Sequence, residues 1–143
     1  MPFYGGNISY KFDYDAKFDG EHEIIVNVYR GAMVRVYVDG LDKGVIAYSP
    51  YTVNFNLTKG KHEITLKLFG NRKNTFGCMH KVNKADTWYG PGRWLAEREE
   101  FCFEYTLSKF GILAAPIIRA IEYTDDDAKK NSLDLLDKRG TFG

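Results

Sequence analysis

The chain has 143 residues, 44% of them hydrophobic, which is enough for one domain that buries a core without disulfide or metal staples. Its 20 Lys and Arg stand against 19 Asp and Glu, and this net charge of +1 with no basic stripe speaks against nucleic acid or an anionic membrane as a partner. No apolar run approaches the length of a membrane span, and the opening MPFYGGNISYKF has neither the basic start nor the apolar middle of a signal peptide.

Alternation of apolar and polar residues dominates from the start. Ile8 to Tyr14 reads as a strand near one end of the domain. The following DYDAKFDG, Asp13 to Gly20, has the look of a calcium loop, but Lys17 takes its fifth position and no Glu stands at the twelfth. A structural calcium site on Asp13 or Asp15 stays open. The plainer reading is a polar strand face that ends in an Asp19-Gly20 hairpin turn, and no cofactor is expected.

Next come Ile24, Val26 and Val28 on one face, then Val34, Val36 and Val38 with Arg35 and Tyr37 opposite. Asp39-Gly40 predicts a two-residue type I′ turn, because Asp and Gly accept positive φ at both central positions. Ser49-Pro50 breaks the chain before Val53, Phe55 and Leu57, and Thr58-Lys59-Gly60 turns it into Ile64, Leu66 and Leu68. The polar residues Thr52, Asn54, Glu63 and Lys67 should then face water, since a one-residue slip exchanges the two faces.

After Phe69 the pattern stops. In LFGNRKNTFGCMHK, Leu68 to Lys81, Gly70 and Gly77 promise unusual backbone angles or close approach, and Asn71 and Asn74 suit side-chain bonds that pin a turn. The stretch reads first as a structural corner and second as a ligand contact, in which Arg72 and His80 would serve sugar hydroxyls.

Lys81 to Glu100 is a long loop with a Gly-Pro-Gly turn, of a length that tends to be functional or disordered. Trp88, Tyr89 and Trp94 lie within it, and their rings suit stacking on a sugar's C–H face as well as they suit plugging the end of a sandwich.

Phe101, Phe103, Tyr105 and Leu107 alternate with polar residues as a further strand, and Pro116 to Tyr123 closes the set. With about eight strands and no helix between them, the chain is expected to be all-β, an antiparallel sandwich or jelly roll. The domain should span residues 1–123. In 124–143 the composition shifts toward a short peripheral helix capped by Asp125, or a frayed tail.

Cys78 and Cys102 have 23 residues between them, open to a disulfide, a packed pair or two buried thiols, of which reduced, buried thiols are expected. Two Cys and three His without metal-ligand spacing give no zinc site. A glycosidase needs two carboxyls across a cleft, whereas Glu97, Glu99 and Glu100 crowd a charged stretch and Glu104 lies on a polar strand face. No hydrolase or phosphate-binding motif occurs, so catalysis is not expected.

From Arg30 to Gly77 the order of VYVDGLDKG, Pro50-Tyr51, LTKGKHEI and LFGN resembles the galactose-binding-like β-sandwich modules of glycoside hydrolases, including the sugar-binding domain of family 2. FGILAAPII, Phe110 to Ile118, extends the likeness over most of residues 3–122. That resemblance implies a jelly-roll accessory module of a larger carbohydrate-active protein, with carbohydrate or a neighbouring catalytic domain as partner. It leaves two readings: a non-catalytic sugar-binding module, or a docking domain with no sugar of its own.

Overall fold

The computed structural model describes residues 3–77, 79–82 and 98–121. Within them, in chain order, run β1 (Ile8–Ala16), β2 (Gly20–Ile25), β3 (Tyr29–Arg30), β4 (Met33–Val38), β5 (Leu41–Ile46), β6 (Thr52–Leu57), β7 (Gly60–Phe69), a single helical turn α1 (Lys73–Phe76), a 3₁₀ turn (Arg98–Glu100), β8 (Gly111–Ile112) and β9 (Ile117–Ala120). One antiparallel sheet has the order β1-β7-β4-β5 and a second the order β6-β2-β9, while β3 and β8 form a two-stranded ribbon beside them. The architecture is the all-β sandwich that the alternation predicts.

The core follows from the period-2 pattern. Val34, Val36, Val38, Ile64, Leu66 and Leu68 of the first sheet are buried against Ile24, Val53, Phe55 and Leu57 of the second and Val26, just past the end of β2. Removing each such side chain from water stabilises the fold by about 1.5–3 kcal/mol. None of Thr52, Asn54, Glu63 and Lys67 is buried, so the register is the predicted one. Asp39 and Gly40 have φ of 50° and 77° and join β4 to β5, with Val38 opposite Leu41, as the type I′ turn requires.

Three expectations need correction. Val28 is 41% exposed, because β2 ends at Ile25 and the chain is already turning into β3; the third buried member of that face is His22. The Asp19-Gly20 pair makes no hairpin, since β1 pairs with β7 and β2 with β6 and β9, in different sheets. Phe101 to Leu107 is not a strand: its one bridge is Lys81 with Phe101, and Phe103 is 90% exposed with Phe101 and Tyr105 also open to solvent. The chain there lies along residues 79–82, with Cys102 N–H donating to His80 O at 3.2 Å and Thr106 N–H to Met79 O at 2.6 Å.

At one end of the sandwich the connections 17–19 and 58–59 cross between the sheets side by side. Ala16 faces Gly60 before the crossing and Gly20 faces Leu57 after it. Asp19 Oδ1 accepts the Lys59 N–H at 2.5 Å, tying the two connections together.

Candidate functional site

The opposite end is open. Here β2, β5 and β7 finish and β4 and β6 begin, and the connecting residues line a cleft of about 350 Å3: Asn27, Tyr29, Arg30, Gly31, Ala32, Ala47, Tyr51 and Asn71. Two rings and three planar polar groups therefore converge from three segments, 27–30, 51 and 71. Such a mixture suits a small polar ligand with one apolar face.

Tyr29 and Tyr51 meet edge to face, with ring centroids 6.2 Å apart and planes at 81°. The Tyr29 hydroxyl donates to Ile46 O at 3.3 Å. Burial, with the Tyr51 hydroxyl adding to it, holds the Tyr29 phenol above its ordinary pKa, so it is a neutral donor and acceptor. Tyr51 carries φ of 61°, a left-handed conformation that a bulky L-residue rarely adopts. Two bonds hold it there: Tyr51 N–H to Tyr48 O at 2.8 Å and Val26 N–H to Tyr51 O at 3.1 Å. Backbone held in this region concentrates at ligand sites.

Arg30 is fixed through β3, where it pairs with Gly111 of β8. Its Nη1 donates to Tyr29 O at 3.0 Å. Asn71 enters the cleft because the corner after β7 is tightly built. The Asn71 side chain accepts the Lys73 N–H at 3.1 Å, and Asn74, which is buried, exchanges two bonds with the backbone of Ser108 at 2.8 and 2.9 Å. Gly70 lies so close to the N-terminal segment that a Cβ there would sit 2.2 Å from Gly6 O. The stretch from Leu68 onward is thus a structural corner, and one of its residues reaches the cleft.

The residues singled out in the sequence are placed unevenly. Arg72 lies beside Asn71, with its guanidinium 5.9 Å from the Phe76 ring centroid, and is not among the cleft-lining residues. His80 stacks on Phe101 at 5.7 Å and tilts against Tyr105 at 4.5 Å, with Nδ1 3.0 Å from Cys102 O. Trp88, Tyr89, Trp94, Glu97 and Cys78 lie outside the described residues, as does the segment 124–143. Cys102 is a half-buried free thiol.

Glu99, Glu100 and Glu104 are exposed, and Lys17 pairs with Asp15. Among the described residues no three His, Cys, Asp or Glu side chains cluster as metal ligands would. Asn27, Tyr29, Arg30 and Tyr51 did not stand out in the sequence as ligand contacts. The signal that finds them is positional: at the same end of the sandwich, Asn27 follows β2, Tyr29 and Arg30 form β3, and Tyr51 precedes β6.

The fold recurs inside a glycoside hydrolase. A solved rhamnosidase from Novosphingobium sp. PP1Y superimposes on 81% of this chain with a TM-score of 0.57 and 16% sequence identity. The chain spans only 11% of that protein's length. At this identity the likeness concerns the fold. No family profile matches the chain, and no curated protein matches its sequence.

Proposed function

We propose that this chain is a non-catalytic carbohydrate-binding module, of the accessory kind carried by glycoside hydrolases, and that a sugar ring sits in the end cleft. The observation that carries this reading is the convergence of Tyr29 and Tyr51 with Asn27, Arg30 and Asn71 in one cleft of about 350 Å3. A pyranose offers an apolar C–H face, which an aromatic ring covers, and a rim of hydroxyls, which amide and guanidinium groups meet with directional bonds. A fold that recurs as a small part of a rhamnosidase supports an accessory place rather than a whole enzyme. Affinity is modest, because two rings and a few hydrogen bonds must offset the cost of immobilising the sugar.

Titration calorimetry across a broad glycan panel tests this reading. Tyr51→Ala and Asn71→Ala should weaken binding while the fold persists. Variants of Trp88, Tyr89 and Trp94, with Arg72→Ala and His80→Ala, report whether the long loop and the corner extend the same site. Unchanged affinity in Tyr51→Ala and Asn71→Ala moves the site out of the cleft.

A second reading, a docking domain that packs on a neighbouring catalytic domain, draws on the exposed rings of Phe101, Phe103 and Tyr105. No sugar binding anywhere in the panel, together with capture of a catalytic domain through those rings, favours it.

A further inference from the structure

We propose that the cleft is built for an acidic sugar, a uronate whose carboxylate lies on Arg30. The inference rests on the sugar-binding reading and narrows its substrate class. Among the arginines whose side chains are described, charge is handled in two ways. Arg35 is paired with Asp42 and Arg119 with Glu23, each at 2.6 Å, and Arg72 lies over the Phe76 ring. Arg30 has neither kind of partner: its Nη1 donates to the neutral Tyr29 carbonyl, which leaves most of its five donors free for a ligand.

Among the described residues the lining holds no Asp or Glu to oppose an anion, and Asn27 and Asn71 bring neutral amides whose N–H groups donate to oxygen. Seating a sugar strips water from the guanidinium. A hydroxyl replaces the lost hydrogen bonds but leaves the charge uncompensated in a less polar setting, whereas a carboxylate replaces both. The guanidinium fork also matches two carboxylate oxygens at once, a geometry an ammonium group lacks.

The test uses the intact chain and a panel of polygalacturonate, alginate and glucuronate-substituted xylan, each beside its carboxyl-reduced counterpart. At least one acidic glycan should bind, with affinity that falls as salt rises and falls again on carboxyl reduction. Arg30→Gln should weaken that binding by about 10-fold or more, the usual range for a lost charge-assisted bond, and weaken binding of the carboxyl-reduced counterpart by a clearly smaller factor, since only a neutral hydrogen bond is lost there. Arg30→Lys should lie between the two, and both variants should melt with the parent because the Arg30 side chain is exposed.

Equal affinity for acidic and carboxyl-reduced forms, or an Arg30→Gln variant that binds the acidic form as the parent does, overturns the uronate assignment and leaves the sugar-binding reading standing. Binding to neutral glycans alone does the same. A chain that binds no glycan, acidic or neutral, overturns the sugar-binding reading and the uronate assignment with it.

Discussion

Replacing Asn74 by Ala separates a residue that builds the corner from one that serves a ligand. The Asn74 side chain is 7% exposed, donates to Ser108 O at 2.8 Å and accepts the Ser108 N–H at 2.9 Å. Truncation removes two hydrogen bonds, each contributing about 1 kcal/mol net, and leaves a half-buried peptide N–H and C=O without partners, so the loss is about 2–3 kcal/mol. For a domain of this size the melting temperature should drop by about 6–10 °C. Ser108→Ala is the control: it keeps the peptide groups that Asn74 grips, and it should melt within about 1 °C of the parent. Thermal melts followed by circular dichroism read both variants. If Asn74→Ala is as mild as Ser108→Ala, the paired bonds do not hold the corner. If it abolishes sugar binding with no loss of stability, Asn74 is a ligand residue after all.

Three further outcomes are expected. Gly40→Val should cost about 1–2 kcal/mol in denaturant melts, because a β-branched residue is strained at the φ of 77° that closes the β4–β5 turn. Leu66→Ala, at a fully buried site, should cost about 2–5 kcal/mol, while Phe103→Ala, on the exposed segment, should stay within about 0.5 kcal/mol of the parent. The third concerns pH. His62 directs Nδ1 at Asp39 Oδ2 (2.7 Å) and Nε2 at Thr58 O (2.8 Å), and its bond with Asp39, then that with Thr58, raises its pKa. Its contribution is complete below the ordinary histidine value of about 6.5 and fades as pH rises through the raised one. The same bond, helped by the Glu63 N–H, lowers the Asp39 pKa, so that contribution is complete above about 3.9 and fades as pH falls through the lowered value. Melting temperatures of the parent minus those of His62→Gln should therefore be largest between about pH 4 and 6.5, and a difference that grows above neutrality refutes the pairing.

Much of the fold was legible because burial on one face of a strand leaves a period-2 trace. Val34, Val36 and Val38 or Ile64, Leu66 and Leu68 have no other economical explanation. Where that trace misled, a longer-range fact decided. Phe101 to Leu107 alternates as cleanly as β4 does, yet its partner is the segment 79–82 rather than a sheet edge, and its apolar face has no core to enter. Asp19-Gly20 has the chemistry of a hairpin, but turn chemistry does not say which sheet the next strand joins.

In β5, Leu41 and Val45 are exposed on an edge strand with a register shift between Val36 and Tyr37 of its partner, so the alternation that marks other strands is absent. The corner was readable at Asn71, whose side chain bonds the Lys73 N–H two residues on, whereas the partner of Asn74 is Ser108, 34 residues away, which no local pattern shows. The cleft was not readable, since its residues share no local motif and meet only once two sheets are stacked.

The paired crossing at 17–19 and 58–59 gives the sandwich a spine. The two covers are joined along the other margin too, by 26–32 from β2 to β4 and by 47–51 from β5 to β6, and the cleft where Tyr29, Tyr51 and Asn71 stand lies among these longer connections. Amides of the central strand β7 are placed to exchange with solvent last and those of exposed connections, such as Lys59 N–H on Asp19, early, while Val26 N–H on Tyr51 O stands at the cleft itself. A ligand that touches both covers acts as a clasp. Hydrogen exchange at that margin then reports occupancy of the cleft, even for a sugar bound too weakly for its own signal to be seen.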